Sequence, residues 1–111
     1  IMTRNPDLVG IFAANDGMAL GAVESVFAAG RGGDVIIIGV DGNSDAVKSI
    51  KAGRLTASVA QLPYLVGKQA LENVKTAIEG GYVETNVIIP TLVLTKDLID
   101  AGTEPLLEFV K

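Results

Sequence analysis

Three polar residues in this sequence stand directly after short apolar runs. Asn15 follows IFAA, Asp41 follows VIIIGV and Gln61 follows ASVA. Asn and Gln side chains offer hydrogen-bond donors and acceptors, whereas an ionised Asp offers only acceptors. A carboxylate that accepts hydrogen bonds from two neighbouring hydroxyl groups binds them with charge assistance. The three residue types therefore suit a neutral polyhydroxylated ligand better than an anion, which Asp41 would repel.

These residues need a scaffold that brings them together, and strand and helix patterns alternate along the chain. The alternation predicts an α/β fold, a parallel sheet with flanking helices and right-handed crossovers. The continuous apolar character of VIIIGV indicates burial on both faces of its strand. Ligands of open parallel sheets bind beyond the carboxyl ends of the strands, so we expect the three polar residues at one rim. Strands are predicted at 8–14, 35–40, 55–60 and 87–94, and helices at 17–29, 45–52, 64–79 and 104–110.

Structural roles compete with this interpretation. Asn and Asp at a strand-to-helix junction are often turn formers, so either Asn15 or Asp41 taken alone could be structural. Gln61, two residues before Pro63, is harder to explain in this way, because Gln has no strong turn preference. The sequence leaves both roles open.

Helix ends and aromatic residues are expected to be structural. Asp16 is predicted to cap the helix that follows it, because its side-chain oxygen can accept a hydrogen bond from an unpaired N–H of the first turn. Asn43 or Ser44 is predicted to cap the next helix. Phe12 and Phe27 are predicted to lie on core faces.

Composition excludes several classes of function. The 111 residues suffice for one small domain, and 49% of them are hydrophobic. The net charge is −4 and the 9 basic residues are scattered, which disfavours nucleic-acid binding. The chain has no Cys and no His, so thiolate and imidazole metal sites, a Ser-His-Asp triad and a Cys-His pair are excluded. The apolar runs are too short to span a bilayer.

Other motifs do not match their requirements. DGNSDAV resembles the start of a calcium loop, but Ala46 replaces the required glycine and Ala52 replaces the bidentate glutamate. AGRGGD follows a helix and lacks the third spaced glycine of a dinucleotide-binding fingerprint. We expect no metal and no cofactor.

The elements FAANDGMALGA, VIIIGVDGNSDAVKSIKAGRLTASVAQLP and VIIPTLVLTKD occur in this order between about Pro6 and Asp97. Together they resemble the C-terminal part of ribose-type periplasmic sugar-binding proteins, the substrate-binding components of bacterial ABC-type sugar importers. The resemblance implies a two-lobed α/β fold that closes over one monosaccharide such as ribose. It assigns sugar-hydroxyl binding to Asn15, Asp41 and Gln61, and it implies no catalytic activity.

The resemblance also divides the chain. Residues 1–61 would form part of the C-terminal sugar-binding lobe, 62–90 the hinge crossing and a helix that packs on the N-terminal lobe, and 91–111 the return strand and C-terminal tail. We expect a longer parent protein that is periplasmic or extracellular and directed there by a signal or a lipid. Its partners would be a membrane permease and the N-terminal part of the same protein. The helix at 64–79 would then expose an apolar face in this chain, which favours self-association.

Two other classes of function remain as alternatives. The effector-binding domain of a lactose-repressor-class transcription regulator shares this fold, although KAGRLTASVAQLP is typical of the transport proteins. An enzyme or phospho-receiver on a flavodoxin-like sheet is the other alternative. A receiver would require an acidic pair after its first strand and a lysine at a later strand end, and neither is evident.

Overall fold

A computed structural model describes residues 1–110 and shows a four-stranded mixed sheet with helices. Lys111, the last residue of the predicted tail, lies outside the described residues. The strands are β1 (Gly10–Phe12), β2 (Ile36–Asp41), β3 (Ala57–Ala60) and β4 (Leu92–Thr95). The α-helices are α1 (Asp16–Ala28), α2 (Ser44–Lys51), α3 (Pro63–Ile78) and α4 (Lys96–Ala101), with short 3-10 helices at Met2–Arg4 and Pro105–Phe109.

The sheet order follows the chain order, β1-β2-β3-β4. The first three strands are parallel, as predicted, and their registers pair Ile11 with Ile37 and Val40 with Val59. β4 runs antiparallel to β3, with Ala60 opposite Leu92. The parallel order places the carboxyl ends of β1, β2 and β3 at one edge of the sheet.

Helices α1, α2 and α4 cover one face of this sheet. α1 packs on β1 and β2, α2 packs between α1 and α4, and α4 packs on α2 and β4. Apolar residues three or four apart on the helices meet the alternate residues of the strands, as amphipathic elements require. The core under these helices includes Ala19, Val23, Val26, Ile37, Ala46, Ile50, Leu55 and Leu94.

Burial in β2 differs from the prediction. Ile37 and Gly39 are buried, but Ile38 and Val40 are half-buried and Ile36 is 56% exposed. The strand therefore has one covered and one open face within residues 1–110, although its apolar sequence is typical of a strand covered on both sides.

The placement of the two phenylalanines was also predicted wrongly. Phe12 is 71% exposed at the end of the edge strand β1. Phe27 is 38% exposed and lies under the Arg54 guanidinium, 4.7 Å from the ring centroid. An apolar side chain is buried only where other parts of the fold cover it, and within the described residues Phe12 is left largely uncovered and Phe27 is covered only in part, by Arg54.

α3 is set apart from the rest of the fold. None of its residues is buried, and its apolar side chains include Leu71 and Ile78, which are 73% and 81% exposed. The molecule measures 59 × 31 × 17 Å, an elongated shape for this length. Among residues 1–110, no helix is both apolar enough and long enough to cross a bilayer.

Candidate functional site

The side chains of Asp41 and Gln61 meet at the end of the parallel strands. Gln61 Nε2 donates a hydrogen bond to Asp41 Oδ1 over 2.7 Å. Asp41 is the last residue of β2, and Gln61 follows the last residue of β3. The contact leaves Asp41 Oδ2 and Gln61 Oε1 as acceptors, and both residues are exposed.

Asn15 lies at the same sheet edge, at the end of β1, and is the N-cap of α1. Its Oδ1 accepts a hydrogen bond from the Met18 backbone N–H over 2.8 Å. This bond fixes the orientation of the amide, and its Nδ2 donates to no group within residues 1–110. No hydrogen bond joins Asn15 to Asp41 or Gln61 in the described part of the chain. The groups left for a ligand are therefore two donors, Asn15 Nδ2 and the second N–H of Gln61 Nε2, and two acceptors, Asp41 Oδ2 and Gln61 Oε1.

The surface beside Asp41 and Gln61 is concave. A shallow recess of about 280 Å³ is lined by these two residues together with Pro63 and Val66. The first turn of α3 thus forms a wall beside the strand ends, with the apolar side chain of Val66 next to polar groups. A sugar ring also combines apolar C–H faces with hydroxyl edges, and the recess provides both kinds of surface.

Asp16 is not the cap of α1, contrary to the prediction. The cap is Asn15, while the Asp16 side chain is fully buried. Asp16 Oδ1 accepts a hydrogen bond from the Ser58 hydroxyl over 2.6 Å, and Oδ2 accepts one from the Asn43 backbone N–H over 2.8 Å. Asn15 and Asp16 are both of a type that can cap a helix, and their roles differ here because the side chain of Asp16 is buried. Asn43 caps α2 by accepting from the Ala46 N–H, as predicted.

The backbone at Asp41 is strained. Its φ is +120°, in a region that residues with a side chain rarely adopt, and Gly42 follows with φ +75°. A residue held in such a region costs about 1–3 kcal/mol and keeps it only where the surrounding structure enforces it. The bonds to the next two amides, from Gly42 to Ser58 Oγ and from Asn43 to Asp16, supply that constraint.

The C-terminal segment reaches the same region, which the sequence analysis did not anticipate. The Phe109 and Tyr64 rings stack with centroids 5.4 Å apart and planes 8° apart. Phe109 also lines a second recess with Asp41, Gly42 and Pro63. The sequence does contain the signals of α4, the helix that precedes this segment. Thr95 caps α4 by accepting from the Leu98 N–H, and Gly102 ends it at φ +62°.

Metal ligation has no structural support in the described residues, where no group of three or more Asp or Glu side chains is placed to hold an ion. The loop at DGNSDAV instead forms the start of α2, with Asp45 in its first turn paired to Lys48 over 3.0 Å.

Comparison with known proteins agrees with this fold. Residues 1–81 match the family described as periplasmic binding protein domain. The ribose import binding protein of Bacillus subtilis is 42% identical over 90 residues, which are 81% of this chain and 29% of that protein. The D-allose-binding periplasmic protein of Escherichia coli K12 is 40% identical over 83 residues, 75% of this chain and 27% of that protein.

Solved structures give the same result. An ABC transporter periplasmic solute binding protein from Actinobacillus succinogenes, with bound D-allose, superimposes with a TM-score of 0.85 at 34% identity. The match covers 90% of this chain and 36% of that one. The fold is thus that of a part of the two-lobed periplasmic sugar-binding proteins. This chain belongs to the periplasmic binding protein family, and it spans less than a third of the length of the two curated relatives named above.

These relatives bear on the alternatives. They are binding proteins of sugar import, not enzymes, and the interpretation as a lactose-repressor-class effector domain is not favoured. The ribose and D-allose in the descriptions of these relatives are ligands of those proteins.

Proposed function

We propose that this chain forms part of the sugar-binding site of an ABC-importer substrate-binding protein, with Asn15, Asp41 and Gln61 as ligands of monosaccharide hydroxyl groups. The observation that carries the proposal is the meeting of Asp41 and Gln61 at the strand ends, in a family whose relatives include ribose- and allose-binding proteins. Asn15 Nδ2 provides a donor, and Asp41 Oδ2 and Gln61 Oε1 provide two acceptors, for neighbouring hydroxyl groups.

The chain would supply one wall of that site. The proposed division assigns residues 1–61 to the sugar-binding lobe, 62–90 to a hinge crossing and a helix on the other lobe, and 91–111 to the return strand and tail. The lack of buried residues in α3 supports this division, because the exposed side chains of Leu71 and Ile78 then have a partner surface on the second lobe. In the absence of that surface, the same side chains favour association of the chain with itself.

Binding energetics support a role that requires two lobes. Each of three hydrogen bonds contributes about 0.5–3 kcal/mol net, the upper values applying to bonds with the Asp41 carboxylate. Association costs at least about 4 kcal/mol in lost translational and rotational freedom. One wall therefore binds a monosaccharide with a dissociation constant weaker than about 1 mM. A closed pair of lobes would add contacts and shift the population towards the closed state, which a membrane permease would recognise in the periplasm.

The test is titration of the isotopically labelled 111-residue chain with D-ribose and D-allose, followed by ¹⁵N–¹H correlation spectra. We expect millimolar, saturable shifts of the Asn15 and Gln61 side-chain amides and of the Asp41 backbone amide. D-Gluconate, a polyhydroxylated anion, should cause far smaller shifts because Asp41 repels it. Asp41→Asn is the matched variant and should weaken the sugar-dependent shifts.

Two outcomes would contradict the proposal. Sugar-dependent shifts confined to surfaces away from these three residues, or none up to molar sugar, would refute the assignment of the site. Isothermal titration of the same chain should show no heat at micromolar protein and sugar. Micromolar binding there would refute the requirement for a second lobe.

A further inference from the structure

The Asp16 carboxylate is buried and takes no part in the proposed sugar contact. Its side chain is 0% exposed, and none of the ion pairs among residues 1–110 includes it. Both oxygens are instead paired with neutral donors, the Ser58 hydroxyl at 2.6 Å and the Asn43 N–H at 2.8 Å. The N-terminal turn of α1, where Asp16 lies, adds a favourable helix dipole.

A third hydrogen bond, made by Ser58, extends this network. Ser58 Oγ, which donates to Asp16, accepts from the Gly42 N–H over 3.1 Å. The consecutive amides of Gly42 and Asn43 are therefore both held by Asp16, one through Ser58 and one directly. They follow Asp41 immediately, so the backbone that leaves Asp41 cannot rotate without breaking one of these bonds.

Two glycines permit the close approaches around this carboxylate, Gly39 next to Asp16 itself and Gly42 in the connection that Asp16 and Ser58 hold. A Cβ at Gly39 would collide with Asp16 Oδ1 and would stand 3.0 Å from the Ala19 Cβ. A Cβ at Gly42 would stand 2.5 Å from the Ala60 Cβ. The close approach of β2 to α1 and of the β2–α2 connection to β3 therefore depends on glycine at both positions.

Three chain segments meet at this one side chain. Asp16 follows Asn15, its Oδ2 holds the connection after Asp41, and its Oδ1 holds Ser58, three residues before Gln61. We propose that Asp16 is a positioning residue, which fixes the relative placement of the three sugar ligands through Ser58, Gly42 and Asn43 without touching the sugar. The expected effect of Asp16 on sugar affinity rests on the proposed function, whereas its effect on the Asp41–Gln61 hydrogen bond does not.

The experiment compares the 111-residue chain with its Asp16→Asn and Ser58→Ala variants. Asn keeps the size of Asp16 but replaces one acceptor with a donor, and Ala removes the hydroxyl that joins Asp16 to Gly42. The spectroscopic signature is the Gln61 side-chain amide, one proton of which is held by Asp41. In both variants we expect its two proton shifts to move towards those of a solvent-exposed Gln, and hydrogen exchange of Gly42 and Asn43 to accelerate at least tenfold. Sugar affinity should fall at least tenfold, about 1.4 kcal/mol.

Val23→Ala is the control for a purely structural role. Val23 is 1% exposed in the core and lies about two turns after Asp16 in α1, so the variant should unfold more easily while the Gln61 amide and the sugar affinity stay unchanged. If Asp16→Asn and Ser58→Ala lower stability as Val23→Ala does but leave the Gln61 amide in place, the proposal is overturned. If Asp16→Asn does not fold, Ser58→Ala decides by the same readout. If the unchanged chain shows no sugar-dependent shifts, the proposed function fails, and the Gln61 amide still decides whether Asp16 positions it.

Discussion

Gln61 donates a hydrogen bond to Asp41 over 2.7 Å, although 20 residues separate them in the sequence. The contact joins the ends of two adjacent parallel strands. Each partner therefore orients the other, and under the proposed function this would lower the conformational cost of binding a hydroxyl group.

Replacing Gln61 with Glu should disrupt this contact with little cost in stability. A second carboxylate next to Asp41 repels it, but both groups are exposed and water screens them. We expect the free energy of unfolding to fall by less than about 1 kcal/mol, and sugar-dependent shifts to disappear. Urea unfolding and the sugar titration measure the two effects. Retained sugar shifts at Asn15 and Asp41 would contradict a role for Gln61.

Gly42→Ala should be strongly destabilising, and Gly30→Ala is its matched control. Both glycines have positive φ, +75° and +71°. The added Cβ at Gly42 would stand 2.5 Å from the Ala60 Cβ, whereas at Gly30 no atom lies within 4 Å. We expect a loss of about 1–2 kcal/mol at Gly30, from backbone strain alone, and about 1–3 kcal/mol more at Gly42. Thermal unfolding measures the loss of stability in each variant. Equal losses would show that the structure relaxes around the close contact with Ala60 of β3 without an added cost.

Leu62 should reverse the usual order of Ala and Gly substitutions. It is buried and has left-handed dihedral angles, φ 53° and ψ 60°. Leu62→Ala removes the packed side chain at a cost of about 2–5 kcal/mol and keeps the strain. Leu62→Gly loses the same packing but relieves the strain, so it should be more stable than the Ala variant by about 1 kcal/mol. A Gly variant less stable than the Ala variant in urea unfolding would argue against strain at this position.

The stacked pair of Tyr64 and Phe109 should couple the tail to α3. A double-mutant cycle with Tyr64→Ala and Phe109→Ala should give an interaction energy of about 0.5–1.5 kcal/mol, the range for aromatic pairs. Tyr64 is 61% exposed, which favours the lower end. Additive losses in unfolding free energy would mean that the rings do not stabilise each other.

Replacing two exposed apolar residues of α3 with lysine should reduce self-association of the chain. The double variant Leu71→Lys and Ile78→Lys changes exposed side chains, so the unfolding free energy should stay within about 0.5 kcal/mol. Sedimentation velocity over a concentration series should show less association than the unchanged chain. Val93→Lys, which alters an exposed residue of β4, is the control and should have no effect. If the α3 variant associates as strongly as the unchanged chain, another surface is responsible for the association.

The sequence predicted the elements whose signals are local. The bounds of α1, α2 and α3 differ from the predictions by one residue at each end, because the Asn caps, Pro63 and the terminal glycines act within a single turn. α4 carried the same kind of signal in Thr95 and Gly102 and was missed inside the predicted tail. The strand predicted at 87–94 begins only at Leu92, and nothing in its local pattern indicates that it runs antiparallel to β3.

Features that depend on distant partners could not be predicted. Asn15 and Asp16 are both suitable caps, and their roles separate only because Ser58, 42 residues further along, reaches Asp16. Phe12 is apolar by type, but whether it is buried depends on an element that would cover β1. The rim at Asn15, Asp41 and Gln61 followed from the general position of ligands in parallel sheets, and its role in binding sugar stays a prediction.

The chain leaves the sheet after Ala60 and re-enters it at Leu92, and these two residues are register partners on adjacent strands. Residues 63–91 thus form an arm whose two ends join the sheet side by side, at β3 and at β4. On the β3 side the arm is joined through Leu62, whose backbone dihedral angles lie in a strained region. The next residue towards the sheet is Gln61, so a torque applied to α3 would be transmitted to the side chain that holds Asp41.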